Sequence, residues 1–330
     1  MEAIFAVTAP FFALVLCGYL AAQRRVLPEA AIPGLNAYVL FFALPCMLFR
    51  FGASMPLAQL LDPVLVGVYV LCALLMVFFT IAVTLRRDAQ SPGVDLRDAA
   101  FGALVAAFPN SGFMGVPLLV ALLGQAAAGP VIGTIVVDMV MTSSLCLALA
   151  QLHSQREAAG DAHVSVWSLM GRAARGTLTN PLPWSIALGA LLAASGQQLP
   201  GPLSQIIKML AESASPVALF TIGAVLWRAG QHAHSRTPLR LVLPVALFKL
   251  LIHPLLVLST GLLAGALGFT LTPFGLGALV LAAALPSASN VSLLAERYGA
   301  DNGRVARIIM VSTVLAFATF SGAALLLVPR

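Results

Sequence analysis

Ten stretches of this 330-residue chain are apolar for long enough to cross a bilayer, and this feature limits the fold more than any motif does. They lie at about 4–22, 34–52, 63–85, 99–123, 130–151, 181–196, 204–227, 239–264, 272–298 and 304–328, and a spanning helix needs about 20 such residues. With 60% hydrophobic and 9% charged residues and a mean hydropathy of +0.98, no separate water-soluble domain fits. Backbone polar groups in hydrocarbon must be satisfied within the protein, so runs of this length predict an all-α membrane protein. Arg24 and Arg25 follow the first run rather than precede it. That polarity is wrong for a cleaved signal peptide, so the first run is expected to stay as a helix.

The charges orient the chain. Placing the N-terminus outside assigns Arg24, Arg25, Arg86, Arg87, Arg97, Arg156, Arg172, Arg175, Arg228, Arg236, Arg240, Arg297, Arg304 and Arg307 to the cytoplasm, 14 of the 18 basic residues. The opposite loops, 124–129, 195–203 and 265–273, carry no Lys or Arg. The positive-inside rule then puts both termini on the outer side. The net charge of +6 is thus a topology signal, with no nucleic-acid partner implied. Residues 152–180 read as a cytoplasmic linker between a first half, 1–151, and a second, 181–330. Cys17, Cys46, Cys72 and Cys146 all fall inside apolar runs and read as small hydrophobes.

The halves resemble each other at an offset of 171 residues: Pro10 matches Pro181, Gly18 matches Gly189, and Pro45-Cys-Met-Leu-Phe-Arg-Phe-Gly52 matches Pro216-Val-Ala-Leu-Phe-Thr-Ile-Gly223. The shared pattern is PxxLFxxG. A few residues of drift bring Pro109 in the fourth run alongside Pro286 in the ninth. Five spans per half is an odd number, so the second half enters the membrane with opposite polarity: ten transmembrane helices in two inverted five-helix repeats, an arrangement used by many secondary transporters.

Pro109 and Pro286 are predicted break points, because proline removes a backbone donor and the neighbouring short polar residues keep the helix from resuming at once. At about 1.5 Å per residue both lie near mid-membrane. Unwound backbone at that depth must line an enclosed or watery cavity, and half-helix N-termini there carry partial positive charge. The candidate substrate-binding residues are Pro109, Asn110, Ser111 and Gly112 at the first break and Pro286, Ser287, Ser289 and Asn290 at the second. Their side chains can donate to a carboxylate without carrying a charge. Two ordinary proline kinks with self-capping Ser and Asn are the alternative.

Deep ionisable residues are few. Asp138, Lys249 and, one turn further on, His253 are candidates for coupling or charge compensation, since an unneutralised charge at a helix centre costs about 2.5–3.5 kcal/mol. Asp138 and Lys249 are expected to approach one another behind the breaks, as an exchanging site or as a structural ion pair, and His253 to be a packing residue or a relay. Arg50, Lys208 and Glu212 read as interfacial anchors, and Gly261 and Gly265 as a small-residue packing pair. There is no phosphate-binding Gly-rich loop, HExxH or Cys/His cluster, so no catalytic residue, metal or cofactor is assigned and the chain is not expected to be an enzyme.

Phe108-Pro-Asn-Ser-Gly-Phe-Met-Gly-Val-Pro-Leu-Leu119, together with Ala284-Leu-Pro-Ser-Ala-Ser-Asn-Val291 and Leu294-Ala-Glu-Arg-Tyr-Gly299, resembles the auxin efflux carrier family in its bacterial branch. The resemblance covers essentially the whole chain and departs from the plant carriers at Asn290. It implies a crossover of broken helices 4 and 9, with Asn110 among the substrate-contacting groups. Helices 1, 2, 6 and 7 would form a scaffold that mediates a homodimer, and helices 3–5 and 8–10 a unit that moves like an elevator. The fold is similar to that of bile acid/sodium symporters and sodium/proton antiporters, with no cation site assigned here. Bacterial relatives are often named malonate or malate permeases.

Three functions therefore compete. The first is secondary transport of a small organic anion, a mono- or dicarboxylate such as malonate, malate or an auxin-like acid, across the bacterial inner membrane. The second is a cation or proton exchanger using Asp138, and the third a membrane receptor that binds the ligand without moving it.

Overall fold

The computed structural model describes residues 2–54, 62–85, 94–159, 181–231 and 238–328. Among the described residues the chain is helical, with no strand. Among the described residues seven helices are long and apolar enough to span a bilayer: Phe5–Gln23, Glu29–Ser54, Pro63–Thr84, Gln125–Leu152, Gly201–Arg228, Leu239–Ala266 and Asn302–Leu327. The three remaining apolar runs give shorter helices, Ser111–Leu123, Trp184–Ser195 and Pro273–Ala283. Two of these are short because they are pieces of interrupted runs. Residues 152–159 continue a helix rather than opening a linker, and 160–180, with Arg172 and Arg175, lie outside the described residues, as do Arg86, Arg87 and Arg236.

In chain order the segments are α1 (Glu2–Gln23), α2 (Ile32–Tyr38), α3 (Leu44–Ser54), α4 (Pro63–Thr84), α5 (Leu96–Ala107), α6 (Val116–Leu123), α7 (Ala128–Val137) and α8 (Ser143–Ala159). The second half holds α9 (Pro181–Ser195), α10 (Gly201–Gln231), α11 (Leu243–Leu247), α12 (His253–Ala266), α13 (Pro273–Ala283), α14 (Val291–Arg297) and α15 (Asn302–Leu327). Four π-helical turns, Val39–Ala43, Ser111–Gly115, Asp138–Thr142 and Phe248–Ile252, sit within or at the start of these rods. Three of them precede a proline by two residues: Pro45, Pro117 and Pro254. A proline ring collides with the carbonyl one turn earlier in a regular helix, and a turn with one extra residue moves that carbonyl aside. Helix therefore continues through Pro45 and Pro254 without a break.

Helix starts follow side-chain chemistry. The Asp62 carboxylate accepts from the Val64 and Leu65 amides at 2.9 and 3.2 Å ahead of Pro63, and Asp95 accepts from the Asp98 amide at 2.7 Å. Thr272 accepts from Gly275 at 3.0 Å ahead of Pro273, and Asp301 from Arg304 at 2.9 Å. Such caps satisfy amides that have no partner inside the helix.

Two close helix contacts use the glycines of the repeated pattern. A Cβ on Gly18 would overlap the Phe220 carbonyl, and one on Gly223 would overlap the Val15 carbonyl, so α1 and α10 touch backbone to backbone. Gly189 meets the Phe49 carbonyl and Gly52 the Ile186 carbonyl in the same way, joining α9 to α3. Gly18 and Gly189, Phe49 and Phe220, Gly52 and Gly223, and Val15 and Ile186 are each 171 residues apart, so one contact occurs twice. Small residues at such crossings let helices approach where lipid offers no hydrophobic drive.

Arg304, counted above among the cytoplasmic charges, is buried at 2% exposure. Its Nη1 donates to the Asp98 carbonyl at 3.1 Å and its Nε to the Leu241 carbonyl at 3.4 Å, over the bare face of Gly102. Asp98 Oδ1 also accepts from the Asp301 amide at 2.8 Å. These bonds tie the starts of α5 and α15 to the short turn before α11. Gly18→Ala and Gly223→Ala should each lower the thermal midpoint in detergent, by an overpacking penalty of about 1–3 kcal/mol, because the obstruction is backbone. Gly67→Ala, with open space around its Cα, should leave the midpoint unchanged or raise it.

Candidate functional site

The fourth apolar run stops at Ala107 and resumes at Ser111; the ninth stops at Ala283 and resumes at Val291. The two interruptions lie against each other. The Asn110 amide donates to the Pro286 carbonyl at 2.8 Å, and the Ala288 amide to the Phe108 carbonyl at 3.0 Å, an isolated antiparallel bridge centred on Pro109 and Ser287. Each break thus supplies the backbone partners the other lacks. Further on, the Asn110 carbonyl accepts from the Met114 and Gly115 amides at 3.1 and 2.9 Å, starting the π-turn that leads into α6. Ser287 is held from behind, its amide donating to Ser312 Oγ at 3.2 Å.

A cleft opens beside this bridge. Pro109, Asn110, Gly112 and Asn290 line it, and Leu40, Leu44 and Leu182 form the opposing wall. Its free volume is about 20 Å³, against about 10–15 Å³ needed for a single water on the same measure. Asn290 Oδ1 faces no hydrogen-bond partner although it is buried, and the same holds for Ser287 Oγ. Ser111, Ser287 and Ser289 do not line the cleft: the Ser111 hydroxyl pairs with that of Thr134 at 2.9 Å, and the Ser289 carbonyl accepts from Ser292 Oγ at 3.0 Å. Of the expected residues, Pro109, Asn110, Gly112 and Asn290 line the cleft, while Pro286 and the three serines lie outside its lining, with the Ser111 hydroxyl bonded to Thr134.

Asp138, Lys249 and His253 are fully buried behind the breaks. No ion pair joins Asp138 to Lys249. The Tyr69 hydroxyl donates to Asp138 Oδ2 at 2.7 Å, Thr142 Oγ1 donates to Oδ1 at 2.9 Å, and Ser143 Oγ donates to the Asp138 carbonyl at 2.8 Å. Lys249 Nζ lies 3.2 Å from His253 Nδ1 and donates to the Ala283 carbonyl. That carbonyl ends α13, where the break removes the amides that would have capped it and the helix dipole is negative. Lys249 thus caps the severed helix. The Tyr69 and His253 rings, with centroids 5.8 Å apart, close the gap between the acidic and basic groups. Sequence periodicity gave no sign of Tyr69, Thr134 or Ser312, because each partner lies in another helix, whereas Thr142 sits one turn after Asp138 in the same rod.

A family model described as membrane transport protein matches residues 3–323. The chain belongs to this family, the auxin efflux carrier family that its motifs resemble. Among similar proteins is one named "Putative malonate transporter" from Rhizobium meliloti (strain 1021), 29% identical over 326 residues, covering 98% of this chain and 95% of the relative. "Uncharacterized transporter YfdV" from Escherichia coli (strain K12) is 26% identical over 294 residues, covering 88% and 86%. An "Uncharacterized transporter" from Methanothermobacter thermautotrophicus is 28% identical over 308 residues, covering 92% and 91%. The protein is a multi-pass membrane protein of a transport family.

Lys249→Met deletes the donor at the end of α13 and should lower the thermal midpoint by an amount corresponding to about 1–3 kcal/mol for an orphaned buried carbonyl. Lys249→Gln, which keeps a donor, should lose less in the same detergent melt.

Proposed function

We propose that the protein is a secondary active transporter that moves a small organic anion, a mono- or dicarboxylate of the malonate class, across the inner membrane. The observation that carries this reading is the cleft at the paired breaks, lined by Asn110 and Asn290, in a chain of a membrane transport family with a relative named for malonate. Both asparagines donate hydrogen bonds to a carboxylate, and neither brings a fixed charge that would make release costly.

The halves 1–151 and 181–330 are read as inverted five-helix repeats, with both termini outside and broken helices 4 and 9 crossing at Pro109 and Pro286. The recurrence of the glycine contacts at 171 residues and the mutual bonding of the breaks support this. We assign α1–α3, α9 and α10 to a scaffold and the remaining helices to a moving unit, with a homodimer formed through the scaffold. The cleft is too small for a dicarboxylate, and its walls come one from each unit. Loading therefore requires the units to slide or part, as alternating access of the elevator type does.

The buried Asp138, bonded by Tyr69 and Thr142, favours a second reading, a cation or proton exchanger. Asp138→Asn would abolish ion flux under that reading.

Proteoliposomes test the assignment by [14C]malonate counterflow. Asn110→Ala and Asn290→Ala should each raise the apparent KM about ten- to a hundredfold, the equivalent of a hydrogen bond to a charged group worth about 1.5–3 kcal/mol. Counterflow unaltered in both variants overturns the site.

A further inference from the structure

A second and much larger cavity, about 690 Å³, lies beside the cleft on the side toward Gln125 and Gln198. Its volume falls within the range of about 300–1,000 Å³ typical of small-molecule sites. The floor includes Met47 and Pro117, which follow Leu44 and Phe113 of the cleft by three and four residues. The cavity therefore leads toward the breaks, with only the packed walls of the cleft between them.

Two charged residues line the cavity, Arg50 at the end of α3 and Glu212 on α10. Glu212 is balanced by Lys208, one turn earlier on the same helix and 3.9 Å away. Arg50 makes no ion pair or hydrogen bond with any described side chain, so its charge is left for the cavity. As an interfacial anchor, the role its sequence position suggests, a guanidinium needs no cavity around it. Here it is set in the wall of one, among Gln125, Gln197 and Ser204, which donate hydrogen bonds and carry no charge.

We propose that this cavity is an outer antechamber that binds small carboxylate anions through Arg50 before the cleft at the breaks opens. The proposal rests on the anion reading and the orientation given above, and it adds a site that those do not contain. A single unpaired cation in a concave, partly apolar space raises the local anion concentration, an effect that salt screens over about 8–10 Å. Arg50 can hold a carboxylate by a two-pronged bond, whereas its weak burial keeps that hold loose enough to release the anion inward.

The test reads the local potential and needs no transport. In a variant with Cys17, Cys46, Cys72 and Cys146 replaced by Ala, Val120→Cys places a thiol on the cavity wall. Its modification rate is measured in right-side-out vesicles with an anionic and a cationic methanethiosulfonate reagent. The anionic reagent should be favoured about two- to fivefold over its ratio at a free thiol, and half-molar salt should erase the preference. Adding Arg50→Gln should abolish the preference and Arg50→Lys should keep most of it. Malonate at millimolar concentration should slow labelling with Arg50 present and not with Arg50→Gln.

A ratio indifferent to Arg50→Gln overturns the proposal. Labelling only from the cytoplasmic side also overturns it, by placing the cavity on the wrong face. In either case counterflow by the Asn110 and Asn290 variants still decides the reading at the breaks independently.

Discussion

Two hydrogen bonds between interrupted helices, Asn110 to Pro286 and Ala288 to Phe108, are the constraint on which the rest depends. A broken helix inside a bilayer strands amides and carbonyls at a cost of several kcal/mol each, and lipid cannot satisfy them. Two breaks that meet satisfy one another and leave space for polar side chains beside them. The remaining exposed groups are dealt with one by one: Lys249 takes the carbonyl end of α13, and Ser312 takes the Ser287 amide. The cleft is therefore the by-product of a backbone problem solved in pairs.

This division of labour explains why the polar residues at the breaks have different fates. The Ser111 hydroxyl reaches back to Thr134 on a neighbouring helix, and Ser287 is held through its amide by Ser312. The asparagines reach outward, and Asn290 keeps an acceptor with no partner. An unpaired buried acceptor is expensive unless something else fills it part of the time. Asp138 is different again: its carboxylate already has two hydroxyl donors, so it is held in place irrespective of what occupies the cleft.

Much of the fold was legible because hydrophobic length and proline position are local properties. All ten runs reappear as helical segments, and the breaks fall where Pro109 and Pro286 predict. Gly18, Gly189, Gly52 and Gly223 were visible as a repeat, although the offset alone did not say that each would seat against a carbonyl. Residues whose meaning depends on a distant helix were not legible. Arg304 read as one more loop charge, yet it is packed over Gly102 with its Nε and Nη1 donating to two carbonyls on other segments, which no local pattern announces. Asp138 and Lys249 looked like partners on grounds of charge, but hydroxyls and a helix end compete for the same atoms and win by proximity.

The seat of Gly18 on Phe220 has a consequence for biogenesis. About 200 residues separate the two, so at a synthesis rate of about 5–20 residues per second α1 waits roughly 10–40 s in the membrane before α10 exists. During that interval its small-residue groove faces lipid or some transient substitute. The first half of the chain is thus a structure awaiting its counterpart, its seat for the Phe220 carbonyl complete long before the residue that fills it is made.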